Sequence, residues 1–214
     1  MNSELIKLNV ARQKWLLKRP ADLETLWTEM DELDQDERIP YWVEVWPASK
    51  LLGEWLIKNK QNIRGKLCLD LGCGLGLTSL IASKLQAKVI ALDYAWQALY
   101  FGRQNSLLND VCSPLWVQMD WRTPGFKEKS FDYILGSDVF YERRFFEPIS
   151  TLFDRFLAPG GKIWLGDPER TVSKDVWTRL KSLGWQVRRV ASKKVELENQ
   201  KAMVNLWEVC RQTQ

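Results

Sequence analysis

From Lys66 onward, short apolar runs alternate with amphipathic stretches. The runs at Leu67–Leu71, Lys88–Leu92, Leu115–Gln118, Tyr133–Leu135 and Lys162–Leu165 predict strands. Helical spacing between and after them predicts helices at Leu77–Leu85, Ala95–Asn109, Arg144–Leu157 and about Lys174–Leu183. Strict alternation of this kind implies an α/β fold with a parallel sheet and helices on both faces. Trp185–Val190 and Ala202–Val209 have only a charged turn between them, so they predict an antiparallel hairpin that closes a seven-stranded sheet.

The first forty residues are read differently. Leu5, Ile6 and Leu8, followed by Trp15, Leu16 and Leu17, suggest an amphipathic helical stretch before Pro20. A short helix around Leu23 to Met30 and an acidic run from Asp31 to Glu37 follow it. The expected division is therefore a helical flank or lid at 1–39 and a main domain at 40–214. A chain of 214 residues is long enough for one well-buried domain, with little left over for a second.

Composition narrows the chemistry. No apolar run approaches the roughly 20 residues that span a bilayer, so a membrane partner is not expected. Residues 1–20 carry five basic residues and one acid but no continuous apolar region followed by a small-residue cleavage site. That argues against secretion, and Glu4 with the scarcity of serine argues against an organellar presequence. Cys68, Cys73, Cys112 and Cys210 form no C-x-x-C pair, which fits a reducing cytoplasm. The chain has no histidine, which removes serine–histidine triads, histidine bases and the usual histidine-containing zinc sites. A formal net charge of +4, with dispersed basic residues, reads as a solvated surface, and nucleic acid is not the expected partner.

The most informative segment is Leu67-Cys68-Leu69-Asp70-Leu71-Gly72-Cys73-Gly74-Leu75-Gly76-Leu77. An apolar strand ends in an acid and three alternating glycines, then enters a helix. Glycine lets the chain turn sharply and lets a ligand approach its backbone, and the helix start offers unpaired N–H groups to an anion. A dinucleotide fingerprint of the G-x-G-x-x-G type would need glycine at Leu77. The loop alone also fits an ordinary strand-to-helix turn.

Other candidates fall on the same predicted sheet edge. Asp93 ends the second strand, 23 residues after Asp70, where a carboxylate can accept hydrogen bonds from both hydroxyls of a ribose. Met119-Asp120-Trp121 follows the third strand; Asp120 is placed to read an adenine amino group, and Trp121 is either its aromatic neighbour or plain packing. Asp70, Cys73, Tyr94 and Ser137 complete the candidate cofactor-binding set with Gly72, Gly74 and Gly76. Beyond the fourth strand, Asp138 and Tyr141 are placed to face a substrate nucleophile. Asp167, in the next polar turn, reads equally as a cap. Pro40-Tyr41-Trp42-Val43-Glu44-Val45-Trp46-Pro47 is aromatic enough to wall a pocket, or Trp46 simply staples the helix beginning near Ser49.

The strings Pro-Tyr-Trp-x-x-x-Trp-Pro, Leu-Asp-Leu-Gly-Cys-Gly-x-Gly, Asp138-x-x-Tyr141 and Gly166-Asp-Pro-x-Arg170 occur in that order. Together they resemble the seven-β-strand protein lysine methyltransferases, and most nearly the branch that methylates the β subunit of electron transfer flavoprotein. The resemblance runs from about Pro40 to the C-terminus. It implies a Rossmann-like class I methyltransferase sheet and S-adenosylmethionine as cofactor, held by Gly72, Gly74, Asp93 and Asp120. It further implies a protein substrate, the β subunit of electron transfer flavoprotein among the candidates, with Asp138 and Tyr141 shaping a lysine site. Trp46 could then border the sulfonium, since a cation over an aromatic face gains roughly 0.5–2 kcal/mol.

Methyl transfer to an amine is an in-line displacement, so alignment is the main task. A lysine with a reference pKa near 10.4 requires about 4–5 kcal/mol to present its neutral form at pH 7. As a carboxylate, Asp138 favours the charged amine, so its expected role is orientation first and general base second. Methylation of a small molecule or a nucleic acid on the same fold, and a non-catalytic cofactor-binding subunit, are the competing readings. Asp138-Val-Phe-Tyr141 lacks the prolines of the Asn/Asp-Pro-Pro-Tyr motif often carried by nucleic-acid amino-methylating enzymes.

Overall fold

A computed structural model describes residues 2–22 and 40–211. Its centre is a seven-stranded sheet of β3 (Leu67–Leu71), β4 (Lys88–Asp93), β5 (Leu115–Gln118), β6 (Phe131–Ser137), β7 (Leu157–Asp167), β8 (Trp185–Leu197) and β9 (Gln200–Arg211). The spatial order is β5-β4-β3-β6-β7-β9-β8. The strands from β5 to β7 pair in parallel, and β9 enters antiparallel between β7 and β8. All seven strands expected from the sequence are present, including the closing hairpin.

Side chains alternate across each strand and so divide the core into two layers. Cys68, Tyr133, Leu135 and Trp164 face one layer, covered by α1 (Pro47–Lys58), α3 (Leu77–Lys84) and α4 (Trp96–Leu108). Leu69, Leu71, Ile134, Ile163 and Leu165 face the other, covered by α5 (Phe146–Phe156) and α6 (Val176–Ser182). A short helix α2 (Lys60–Ile63) extends α1. Burial on both faces explains why the central strands read as continuous apolar runs rather than alternating ones. No helix among the described residues is long and apolar enough to cross a membrane.

The N-terminus corrects the sequence reading. Residues 3–20 form an antiparallel hairpin, β1 (Ser3–Val10) and β2 (Gln13–Pro20), rather than an amphipathic helix. The positions that join the core are Ile6, Leu8 and Val10 on one strand and Trp15 and Leu17 on the other, a period of two that the buried Pro20 leaves only at the end of β2. The adjacent apolar pairs Leu5-Ile6 and Leu16-Leu17 hide that period. The turn is made by Ala11 (φ 47°) and Arg12 (φ 66°), both left-handed as a two-residue hairpin requires, yet neither is a usual turn residue. The hairpin is part of the main core layer, where five of its buried side chains join those of α1 and α3. The helix expected at Leu23 to Met30 and the acidic run after it lie outside the described residues.

β3 and β6 are neighbours, but the chain leaves β3 toward β4 and β5 before returning to β6. Their C-terminal ends therefore flank the crevice where strand order reverses, the usual ligand position in sheets of this kind. Close packing fixes the upper wall of that crevice. A Cβ on Gly166, near the end of β7, would stand 2.9 Å from the Ala48 carbonyl oxygen and 3.2 Å from its Cβ, so α1 sits directly on the bare strand. Gly166→Ala is expected to force α1 outward and to destabilise the fold by about 1–3 kcal/mol. Urea unfolding of the variant beside the unaltered chain measures this.

Candidate active site

The crevice opens into a cleft of about 900 Å³, walled by the segment after β3, the ends of β4 and β5, the segment after β6, and the aromatic stretch before α1. The turn after β3 builds its floor from backbone. Gly72, Gly74 and Gly76 all have positive φ (59°, 51° and 89°). A Cβ at Gly74 would meet the Trp42 carbonyl oxygen at 3.3 Å, on top of the strain of a left-handed conformation. Gly76 is constrained from another side, because its Cβ would lie 2.7 Å from the Trp116 ring.

Asp93 ties the floor to the side wall. Its Oδ2 accepts from the Gly74 N–H at 2.8 Å and its Oδ1 from the Ala95 N–H at 3.0 Å. Burial pushes its carboxyl above the ordinary range, opposed by the N–H groups of Gly74, Ala95 and Tyr94. Asp70 lies beneath the turn, almost wholly buried, and accepts from the Ser79 hydroxyl of α3. Burial pushes its carboxyl up to about 7, with Ser79 opposing and Asp93 reinforcing the shift. Cys73 is buried with its N–H donating to the Leu92 carbonyl, and burial carries its thiol well above the usual value.

The remaining cofactor candidates also reach the cleft. Tyr94 is about half exposed at the rim. The Ser137 hydroxyl lies 3.3 Å from that of Thr78 in the first turn of α3. Trp121 packs against Phe145 at 5.0 Å between ring centres and leaves 3.3 Å to the position a Gly72 Cβ would take, so it packs and lines the cleft at once. Asp120 is less free than expected. Burial acts against its charge, but Arg122 donates from its backbone N–H and its guanidinium and holds the carboxyl below the usual range.

On the far wall, Asp138 is nearly buried and left-handed (φ 58°), and its N–H donates to the Gly166 carbonyl at 2.8 Å. Both of its carboxylate oxygens are engaged by Arg170, Nε at 2.8 Å and Nη2 at 2.6 Å. Burial raises the Asp138 carboxyl more than Arg170 lowers it. The same guanidinium sits over the Trp46 ring at 5.5 Å. The Trp46 indole N–H donates to the Tyr41 carbonyl at 3.0 Å, at the residue before α1, which starts at Pro47 rather than near Ser49. Tyr141 packs between Tyr41 (5.0 Å) and Phe145 (4.9 Å), and burial raises its phenol above the ordinary value.

Asp167 does not line the cleft. Its Oδ2 accepts from the Ser173 hydroxyl at 2.9 Å, a side-chain bond rather than a cap on the backbone of the following helix, while its buried Oδ1 has no partner. Burial pushes its carboxyl up to about 6. The residues that the sequence reading left unassigned are Arg170, quoted only as part of its motif, together with Tyr41 and Thr78. The signal for Arg170 was its place three residues after Asp167 on the same sheet edge.

The sequence profile described as lysine methyltransferase matches residues 4–181. The chain belongs to this lysine methyltransferase family. The match takes in the N-terminal hairpin, so the family resemblance begins well before Pro40. A histone-arginine methyltransferase of Xenopus laevis, METTL23, is 32% identical over 160 residues, covering 72% of this chain and 64% of that protein. The electron transfer flavoprotein beta subunit lysine methyltransferase of Danio rerio is 31% identical over 139 residues, covering 64% and 53%. The chain thus spans about half to two thirds of the length of these relatives. Among solved structures, a magnesium protoporphyrin IX methyltransferase from Synechocystis with bound SAM has a TM-score of 0.62 at 20% identity, covering 83% of this chain and 82% of that one. That likeness identifies the fold as the Rossmann-like sheet shared by class I methyltransferases.

The buried acid beneath the glycine turn has a measurable signature. Its folded-state pKa is raised above the ordinary 3.8, so the folded chain holds this proton more tightly than the unfolded one. Stability contributed by protonated Asp70 is full below about pH 4 and is lost as pH rises through about 7. Relative to Asp70→Asn, the unaltered chain is expected to lose up to about 1.4 kcal/mol per pH unit across that window and to level off above it. Urea unfolding of both proteins from pH 4 to 8 checks the sign.

Proposed function

We propose that this protein is an S-adenosylmethionine-dependent methyltransferase that methylates a lysine side chain of a protein. The observation that carries this reading is a single cleft at the strand-order reversal. It joins a bare glycine turn, a buried acid at the end of β4 and an aromatic wall around Asp138. The residues fit the cofactor: Gly74 leaves its backbone uncovered, and Asp93 retains lone pairs for ribose hydroxyls beyond the two N–H groups it already accepts. S-adenosylmethionine, when bound, supplies an electrophilic methyl group on a sulfonium.

In this reading Gly72, Gly74 and Asp93 hold the cofactor, with Asp70 stiffening the turn from below. Tyr94, Trp121 and Ser137 close around it. Asp120 serves the adenine end only as far as Arg122 releases it. Trp46 and Tyr141 form the aromatic walls of the acceptor channel and would hold the aliphatic stem of a lysine. Tyr141 is too weak an acid to act as a base. The Asp138–Arg170 pair orients the acceptor nitrogen without a full free negative charge, so proton loss from the amine goes to water rather than stopping at a bound ammonium. A protein substrate agrees with the names of the relatives, and the β subunit of electron transfer flavoprotein is the first candidate.

An arginine acceptor is the second reading, and one observation favours it. Asp138 and Trp46 already accommodate a guanidinium, that of Arg170, with two parallel hydrogen bonds and a ring face.

Methyl-labelled S-adenosylmethionine incubated with this protein and a cell lysate is expected to give label that is lost on proteolysis. Amino-acid analysis of that label is expected to return methyllysine; methylarginine selects the second reading, acid-soluble label a small-molecule substrate, and no label refutes enzymatic activity. Gly74→Arg, which would fill the turn and collide with Trp42, is expected to abolish the signal.

Removing either partner of the Asp138–Arg170 pair has a separate expected outcome. Asp138→Asn and Arg170→Ala should each lower labelling by about 10- to 100-fold, because displacing an acceptor by about an ångström costs on that order. Affinity for the reaction product S-adenosylhomocysteine should change less than threefold. Calorimetric titration beside the labelling assay separates the two effects.

A further inference from the structure

Helix α4 carries Asn105 in its last turn and ends at the C-cap Asn109, one turn on, and both asparagines face the N-terminal hairpin. Asn109 accepts from the Leu16 N–H at 2.9 Å and donates to the Leu16 carbonyl at 2.6 Å. Asn105 does the same for Lys18, accepting at 2.7 Å and donating at 3.2 Å. In the hairpin register Val10 pairs with Gln13 across a two-residue turn, so Leu16 and Lys18 turn their backbone groups away from β1. The two side-chain amides thus imitate a neighbouring strand. The spacing works because four helical residues rise about 6 Å and two strand residues about 6.8 Å.

The two asparagines differ in one respect. The second donor of Asn109 goes to the Asn105 carbonyl of its own helix, at 2.7 Å. The second donor of Asn105 goes to the Leu75 carbonyl at 3.0 Å. Leu75 is the residue between Gly74 and Gly76, inside the turn that floors the cleft. Asn105 has no exposed surface, and a buried amide with three bonds has little freedom to rearrange. A continuous chain of hydrogen bonds therefore runs from the Lys18 backbone through Asn105 to Leu75. Its next backbone neighbour, Gly74, donates to Asp93.

We infer that Asn105 is a positioning residue for the cofactor, fixing the glycine turn against the N-terminal hairpin so that hairpin docking and cofactor affinity are coupled. The inference rests on the reading of the cleft as an S-adenosylmethionine site. Gly72, Gly74 and Gly76 leave the turn with more backbone freedom than any other segment of that length. Unheld, it would sample orientations in which the Gly74 amide no longer meets Asp93. Such coupling is reciprocal: whatever loosens the hairpin weakens the cofactor, and bound cofactor tightens the hairpin.

The pair of asparagines supplies its own control. Asn105→Leu and Asn109→Leu each remove a two-bond clamp on β2, but only the first releases Leu75. In calorimetric titration of the full chain with S-adenosylhomocysteine, Asn105→Leu is expected to weaken binding at least tenfold and Asn109→Leu less than twofold, although both lower the melting temperature. Equal losses in the two variants, or no loss in Asn105→Leu, overturn the inference while leaving the cofactor reading intact. Absence of binding by the unaltered chain overturns both. Should Asn105→Leu fail to fold, amide exchange of the unaltered chain followed by NMR decides the matter. S-adenosylhomocysteine is expected to slow exchange at the Lys18 amide at least threefold more than at the Leu16 amide, and equal slowing overturns the inference.

Discussion

Each glycine of the turn after β3 lies against a tryptophan, and the architecture of the cleft depends on that arrangement. Gly72 faces Trp121, Gly74 the backbone of Trp42, and Gly76 the ring of Trp116. The three tryptophans arrive from different places: Trp116 from β5, Trp121 from the segment after it, Trp42 from the stretch before α1. The three left-handed glycines are thereby pressed from three directions, by the rings of Trp121 and Trp116 and by the backbone at Trp42. The outcome is a floor that exposes backbone to the cleft yet has limited room to move. Part of the chain's unusual tryptophan content is thus explained by packing around a ligand-facing surface rather than by contact with a ligand.

The second organising feature is electrostatic. The C-terminal ends of the four central strands each carry a buried acid: Asp70 on β3, Asp93 on β4, Asp138 just beyond β6 and Asp167 on β7. Burial raises all four above the ordinary carboxyl range. Hydrogen bonds from Ser79, from the Gly74 N–H, from Arg170 and from Ser173 offset part of that cost. Among these four, Asp138 alone has a fixed cationic partner. Of these four acids Asp70, Asp93 and Asp138 line the cleft, which Arg122, Arg144 and Arg170 line as well. The buried Asp138 carboxylate holds Arg170, a residue far along the chain, against Trp46.

How much of this could be read from residues alone follows from the range of each interaction. The central strands were legible because burial on both faces leaves uninterrupted apolar runs, and the order of strand and helix dictated the sheet. The N-terminal hairpin was not legible. Its turn, Ala11-Arg12, carries no glycine or asparagine, and its neighbouring apolar residues mask the two-residue period. Asp93 and the glycine turn could be placed from local sequence because their positions follow from strand ends. The pairing of Asp138 with Arg170, thirty-two residues on, could not, since it is made by tertiary packing, whereas Arg122 stands only two residues from Asp120 and went unread although it was local. Asn105 gave no signal at all, because an asparagine in the last turn of a helix discloses nothing about a strand some ninety residues earlier.

The Asp138–Arg170 pair bears on how an amine could be activated without a histidine anywhere in the chain. A free buried carboxylate would bind lysine as its ammonium, the unreactive form, and would raise its pKa. With Arg170 engaged on both oxygens, that stabilisation is already taken up. An incoming cation has to displace Arg170, whose side chain is partly exposed, from both oxygens of the buried Asp138 carboxylate. A neutral amine has no such competition and meets a guanidinium close by, which disfavours its protonation. Under the proposed function, the pair would therefore select the reactive form of the acceptor by electrostatics, with alignment left to the aromatic walls. An arginine acceptor stays cationic throughout and meets the opposite situation, since it would have to replace Arg170 on Asp138 in kind. The one contact that distinguishes the two acceptors is thus an internal ion pair rather than the glycine turn that first draws attention to this sequence.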